Sequence, residues 1–188
     1  MNQNQIYWDL GDRVVIRSYT LDDAQALFDL IDANRDHLRP WMIWEHTTKS
    51  VDDTRTFIQS CLDEPVSIEG NGIWVDGELA GGIGLDIDTL SNSGEIGYWL
   101  AKPHEGRGII TRACERFFDV AFDELGLHRM ELQAAAGNLR SRAVAARLGM
   151  YEEGVARDGI RVTDGYLDSV EYAILEDEWR ERRCRREA

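Results

Sequence analysis

Between Glu95 and Leu125 the chain changes its periodicity once, and the change brackets two glycines. Glu95-Ile96-Gly97-Tyr98-Trp99-Leu100 reads as a strand, whereas Ile109, Ala113, Phe117, Val120, Ala121 and Leu125 form the apolar stripe of an amphipathic helix. Between them stand Ala101-Lys102-Pro103-His104-Glu105 and then Gly106-Arg107-Gly108. Glycines two apart let a backbone curl tightly, and the amides that follow can converge in front of a positive helix end. That geometry suits a diphosphate, with Arg107 adding a charge, although strand-to-helix turns also carry paired glycines for steric reasons alone. Two familiar phosphate loops are excluded. No G-x-x-x-x-G-K-[ST] occurs, and Thr111 stands where the third glycine of G-x-G-x-x-G would be.

Elsewhere strands and helices alternate unevenly. Val14-Val15-Ile16 reads as a strand, and Thr20 with Asp23 as a capping box for a helix carrying Leu21, Ala24, Leu27, Phe28 and Ile31. A Trp-rich segment, Arg39-Pro40-Trp41-Met42-Ile43-Trp44, precedes a second helix capped by Ser50 and Asp53, with Phe57, Ile58, Cys61 and Leu62. Val66 to Val75 and Leu79 to Ile87 read as a hairpin around Asp76-Gly77, and Ser91-Asn92 marks the next turn. After the long helix, Met130, Leu132 and Ala134 alternate as a strand. Ser141 to Leu148 follows as a helix closed by Gly149, and strands near Tyr151 to Val155 and Tyr166 to Leu175 complete the set. The order is β-α-α-β-β-β-α-β-α-β-β, which gives an α/β (α+β mixed) chain with one mixed sheet flanked by helices. Without repeats or linkers, residues 1–188 read as a single domain.

Acidic residues outnumber basic ones by 35 to 21, for a formal net charge of −14. Nucleic acid is therefore excluded as a partner, since its binding rests on a basic footprint. The same field favours a cationic acceptor such as an amine, or serves solubility only. A local basic cluster, Arg180, Arg182, Arg183, Arg185 and Arg186, reads as a solvated helix end. No apolar stretch approaches the roughly 18 residues needed to cross a bilayer. The polar start Met1-Asn2-Gln3-Asn4-Gln5 does not look like a signal peptide. Cys61, Cys114 and Cys184 are dispersed, which fits a reduced, cytoplasmic protein. His37, His46, His104 and His128 share no metal spacing, so no metal is expected.

Taken together, Glu95 to Leu100, Glu105 to Ala113, Asn138 with Ser141 and Val144, and Arg147-Leu148-Gly149-Met150 resemble the GNAT superfamily. The closest likeness is to its RimJ/RimL-type branch, the ribosomal-protein N-terminal acetyltransferases. Arg39 to Trp44 and the ending Tyr172, Leu175, Glu178 and Trp179 extend the resemblance over nearly the whole chain, a core of about residues 13–179. It implies a central mixed sheet of about seven strands, splayed at its two central strands. It also implies acetyl-CoA as co-substrate. The pantetheine would pair with backbone at Tyr98, Trp99 and Leu100, and the pyrophosphate with amides of Glu105, Gly106, Arg107, Gly108, Ile109, Ile110 and Thr111. Glu105 and Ile110 depart from the branch's usual Q/R-x-x-G-x-G/A loop. Asn138 is implied to fix the turn after its strand, with cofactor contact as a second reading. Dimers occur in the branch, which makes a homodimer the expectation.

Acetyl transfer needs a neutral amine, a donor to the oxyanion and a proton for the leaving thiolate. The resemblance implies a backbone N–H near Trp99-Leu100 as the donor and Ser141 as the general acid; Ser141 also suits a helix cap. The base is open. The glutamate that some relatives place shortly after their Glu-Gly pair falls here on Ile160. Glu95 can act through a water or stand as a solvated strand residue, and Asp158, Asp164 and Asp168 are further carboxylates on the acceptor side. An α-amino group with pKa near 8 needs no dedicated base, which favours a protein N-terminus over lysine. Trp41, Trp44 and Phe57 are the aromatic candidates for acceptor walls, or for packing. Cys114, with Ile110, Phe117 and Phe118 as expected neighbours, reads as a packing residue. Two rival functions share these motifs: a small-molecule amine acetyltransferase that detoxifies an antibiotic or nucleotide-like toxin, and a non-catalytic acyl-CoA sensor.

Overall fold

In a computed structural model, residues 6–63 and 68–187 are described, with side chains to residue 185. The start at Met1 to Gln5, Val66 at the head of the expected hairpin, and the Arg186 side chain lie outside the described residues. Among the described residues eight strands are found rather than about seven: β1 (Tyr7–Asp9), β2 (Val14–Ser18), β3 (Ile68–Val75), β4 (Glu78–Asp88), β5 (Ser93–Leu100), β6 (Arg129–Ala135), β7 (Tyr151–Val162) and β8 (Gly165–Leu175). They order as β1-β2-β3-β4-β5-β6-β8-β7 in one mixed sheet. The extra strand is β1, which pairs antiparallel with β2 through Tyr7↔Arg17, Trp8↔Ile16 and Asp9↔Val15. Three residues carry no readable alternation, so pairing rather than pattern makes this strand. The helices are α1 (Ala24–Ala33), α2 (Arg35–Leu38), α3 (Trp44–Thr47), α4 (Val51–Asp63), α5 (Ile109–Asp119), α6 (Leu139–Leu148) and α7 (Glu176–Glu187).

The chain forms two compact units. The first comprises residues 1–84, 98–109 and 161–165. Its core gathers Tyr19, Ala24, Leu27, Ile31, Leu38 and Ile58, with Trp44, Trp74, Leu79 and Trp99 packed against them. The Asp23 carboxylate accepts from the Thr20 amide at 2.7 Å and the Thr20 hydroxyl at 2.9 Å. This expected cap opens a 3-10 turn over Leu21–Asp23, and α1 begins only at Ala24. Ser50 and Asp53 cap α4 as expected, the carboxylate accepting the Ser50 amide at 2.8 Å. Asp76 (φ +57°) and Gly77 (φ +86°) make the two-residue turn between β3 and β4, both in the left-handed region that such a turn requires.

The second unit comprises residues 85–97, 110–160 and 166–188. Met130, Leu132 and Ala134 point from β6 into its core, as their alternation requires. Phe118 stands edge-on to Phe122 and Trp179, with centroids 6.2 and 5.2 Å apart. Trp179 also donates through its indole N–H to Asp119 at 3.0 Å, so α7 is anchored by an apolar ring with its polar atom satisfied. The arginine cluster is not simply a solvated end. Arg183 meets Asp119 and Asp123, and Arg182 donates to the Arg147 carbonyl in the last turn of α6. β5 and β6 run parallel, with register Ser93↔Arg129, Gly94↔Met130 and Glu95↔Glu131. β6 and β8 are antiparallel from Arg129↔Leu175 to Ala135↔Ser169.

Candidate active site

The glycine loop is built locally. Lys102–His104 form a 3-10 turn started by Pro103, and Glu105 leaves it in extended conformation. Gly106 (φ +74°) and Gly108 (φ +71°) then alternate with Arg107, and α5 starts at Ile109. No atom lies within 4 Å of where a Cβ would stand on either glycine, so both face open space. Residues in the left-handed region on both sides of Arg107 turn successive amides to one side, ahead of the helix N-terminus. The residues present thus fit a diphosphate. Glu105, the unusual residue of this loop, is drawn to α2: its Oε1 lies 3.4 Å from His37 Nε2, with both side chains about a quarter exposed. His37 is 68 positions away and carries no sequence signal. Arg107 is exposed, Ile110 and Thr111 are half-buried, and Ile109 and Leu100 are core residues, so any ligand contact at those two is through backbone.

In the second unit the turn after β6 leads into α6. Asn138 is the N-cap, its Oδ1 accepting from the Ser141 amide at 3.1 Å. The cap is therefore Asn138 and not Ser141, which sits inside the first turn and engages the cap through its backbone. Replacing Asn138 with alanine should cost about 1 kcal/mol of stability and lower Tm by roughly 2–4 °C. A calorimetric scan beside an acetyl-CoA titration separates this structural role from cofactor contact: a role confined to the cap leaves Kd unchanged. Nearly two helix turns beyond Ser141, Arg147 of α6 donates from Nε to Thr111 Oγ1 at 3.1 Å.

Glu95 lines a cleft of about 330 Å³ with Asp86, Arg129 and Glu131. It lies opposite Glu131, and the amide of Gln133 reaches its Oε2 at 3.4 Å. Partial desolvation, then the charges of Glu131, Glu171 and Asp86, push the Glu95 carboxyl above the ordinary carboxylate range. A carboxylate with a raised pKa is a stronger base for an ammonium proton. The ionised form is penalised in the folded state, so the penalty is absent below the unfolded pKa and grows as pH rises through the folded one. Glu95→Gln should therefore melt higher than the parent at pH 8 and lose that advantage near pH 4. Equal melting differences at both pH values would contradict the shift.

Asp164 and Asp168, two of the other carboxylates expected on the acceptor side, have structural partners. Asp164 pairs with Arg39 at 2.8 Å, which holds its carboxyl below the ordinary range and makes it a poor base. Asp168 accepts from the Asp158 amide at 3.0 Å. Glu153 forms a two-point pair with Arg129, at 2.8 and 2.5 Å. Asp158 (φ +52°) lies within β7, where a loop was expected, and Ile160 is half-buried on the same strand. The hairpin tip is held in the first unit, where the Thr163 hydroxyl donates to the buried Glu45 carboxylate at 3.3 Å.

Of the aromatic candidates, Trp41 lies in the turn between α2 and α3 rather than on a helix, and is half-buried. Trp44 starts α3 and packs at 59° on Trp99, with centroids 5.7 Å apart. Trp99, not singled out as an aromatic wall, fills the space beside Gly82, where a Cβ would stand 2.6 Å from its indole nitrogen. Phe57 is 46% exposed on α4. Cys114 is buried on α5, and burial pushes its thiol pKa up, in keeping with packing; burial also raises half-buried Cys61, to about 11, while Cys184 is exposed. Among the described residues no group of histidine, cysteine or acidic side chains could hold a metal, and no helix is long and apolar enough to cross a membrane.

Comparison with known proteins shows the family. A family model described as an acetyltransferase (GNAT) domain matches residues 13–151. The chain is 40% identical over 174 residues to the putative ribosomal N-acetyltransferase YdaF of Bacillus subtilis, covering 90% of this chain and 95% of that protein. It is 30% identical over 171 residues to the ribosomal-protein-serine acetyltransferase of Escherichia coli, covering 89% and 96%. Among solved structures, Mycobacterium smegmatis RimJ in complex with CoA-disulfide superimposes with a TM-score of 0.78 at 29% identity, over 88% of this chain and 83% of that one.

Proposed function

This chain belongs to the GNAT acetyltransferase family, and from that premise we propose that it acetylates the N-terminal α-amino group of a protein, of the ribosomal-protein type. It is an acetyl-CoA-dependent N-acetyltransferase of the RimJ/RimL-like kind. The observation that carries the choice of acceptor is the commitment of Asp164, Asp168 and Glu153 to Arg39, the Asp158 amide and Arg129. Glu95 is the candidate whose carboxyl is pushed above the ordinary range, and an α-amino group, already partly neutral at pH 7, asks the least of such a base. A lysine or polyamine nitrogen with pKa near 10 would ask far more of it. Two relatives whose names specify ribosomal acceptors support the same reading.

Bound acetyl-CoA supplies an activated acetyl thioester. The amides from Glu105 to Thr111 hold its diphosphate, the backbone of Tyr98 to Leu100 holds its pantetheine arm, and Asn138 keeps α6 in place. A backbone N–H near Trp99 and Leu100 donates to the acetyl oxygen, where negative charge builds. Glu95, directly or through a water, takes the proton released by the attacking amine. The Ser141 hydroxyl gives a proton to the leaving sulfur as the C–S bond breaks and recovers one from solvent, to which Glu95 returns the amine's proton. Phe57 and Trp41 offer surface to the residues behind the acceptor amine, with Trp44 braced on Trp99. Free cysteines suit work in the reducing cytoplasm.

Peptides with free N-termini, the same peptides blocked, and a set of small amines test the assignment. Release of CoA thiol with free peptides alone is the expected result, and activity confined to small amines would overturn it. Glu95→Gln should lower kcat/KM for the peptide by about tenfold at pH 7, leaving a profile that follows only ionisation of the acceptor.

A further inference from the structure

A glutamate is an awkward residue at the mouth of a loop that receives a diphosphate. Glu105 directly precedes Gly106, and its charge has the sign of the ligand's. A carboxylate turned into the concavity would repel what the backbone amides attract. The corner between α1 and α2 meets this problem from within the first unit. Asn34 closes α1, its side-chain amide donating to the Leu30 carbonyl at 2.8 Å while its Oδ1 accepts the Lys102 amide at 3.3 Å. Lys102 opens the 3-10 turn that Glu105 closes. One helical turn after Asn34, His37 Nε2 stands 3.4 Å from Glu105 Oε1, with both side chains mostly withdrawn from water. The corner therefore engages both ends of the turn, by backbone at Lys102 and by side chain at Glu105. The turn does not need the second contact to close, since the Glu105 amide already reaches the Lys102 carbonyl at 3.3 Å. What the His37 contact fixes is the direction of the carboxylate. On the other side the space beside Gly106 is open, so a released Glu105 side chain has room to swing there.

We propose that His37 is a positioning residue for the cofactor: it holds the Glu105 carboxylate against α2 and away from the diphosphate. The inference rests on the cofactor reading above, and His37 acts through Glu105 without touching the ligand. Once released, the carboxylate either stands beside the diphosphate or draws off exposed Arg107, two positions on. Each outcome weakens binding.

Calorimetric titration of the full chain with CoA tests it. His37→Ala should raise the Kd about fivefold. Glu105→Gln, which keeps the shape and drops the charge, should bind at least as tightly as the parent; weaker binding would show the carboxylate helping the ligand and overturns the proposal. The decisive variant carries His37→Ala and Glu105→Gln together. With no charge left to restrain, it should return to within about twofold of the parental Kd. A packing role for His37 leaves the double variant as weak as His37→Ala, and that result overturns the proposal, as does parental affinity in His37→Ala itself. Raised salt should shrink the fivefold loss, because repulsion at an open loop is screened, and a loss indifferent to salt also counts against it. If His37→Ala does not fold, His37→Leu, which keeps bulk and removes both ring nitrogens, takes its place under the same outcomes. Failure of the parent to bind CoA overturns the cofactor reading itself, whereas a parent that binds and a double variant that is not rescued overturn only the role of His37.

Discussion

Ser141→Ala is expected to lower kcat by about two orders of magnitude while leaving the acetyl-CoA Kd nearly unchanged. The size of the effect follows from the leaving group. A thiol with pKa near 8.5 departs poorly as a bare thiolate from a desolvated site, and a positioned hydroxyl removes that burden. The substitution leaves the cap of α6 in place, because the cap uses the Ser141 amide, which alanine retains, and the Asn138 side chain, which is untouched. Rapid-mixing kinetics with saturating acetyl-CoA separate chemistry from product release. Unchanged turnover under those conditions would sink the general-acid assignment, and so would an equal loss in cofactor affinity.

Gly108→Val is expected to raise the acetyl-CoA Kd roughly 30- to 100-fold, against less than about fivefold for Arg107→Ala. Gly108 sits at φ +71°, where a β-branched side chain is strained by about 2–3 kcal/mol. An added Cβ meets nothing within 4 Å, so the cost at that atom is backbone strain and not a clash. The loop relaxes toward negative φ, and its amides turn away from their common focus. Arg107 is exposed and contributes as a surface charge, screened by water and salt. Fluorescence or calorimetric titration of both variants gives the ranking. A larger loss for Arg107→Ala would mean that side-chain charge, not backbone curvature, holds the diphosphate.

The legible parts of this chain are those where local chemistry and final contacts coincide. The apolar stripe of α5 and the Asp76-Gly77 turn formed as their sequences require, because the relevant partners lie within a few residues. The end of the long helix shows where this stops. Leu125 was expected on the buried stripe, yet it is 44% exposed while Phe122 is buried. Residues 120–124 form a π turn, with the Leu125 amide bonded to the Val120 carbonyl at 3.0 Å. One wider turn rotates the following residues off the 3.6-residue period. The strand expected near Tyr151 to Val155 shows the same limit: the Asp168 carboxylate holds the Asp158 amide, and the strand runs on to Val162. In the site, the glycine loop was readable, whereas the fates of Glu105, Asp164 and Ser141 were decided by His37, Arg39 and Asn138. Two of those three partners are distant in sequence, and pairings across 68 or 125 positions leave no periodic trace.

The cysteines fix how easily the enzyme can be watched. Each turnover liberates one thiol, which a chromogenic disulfide reports as it appears. Cys114 is enclosed and Cys61 is held at a pKa of about 11, so neither offers much thiolate to the reagent near pH 8. Cys184 alone is exposed, and the native blank should be one equivalent per chain. Unfolding should raise that blank to three, so the same dye that counts turnovers also flags a preparation that has lost its structure.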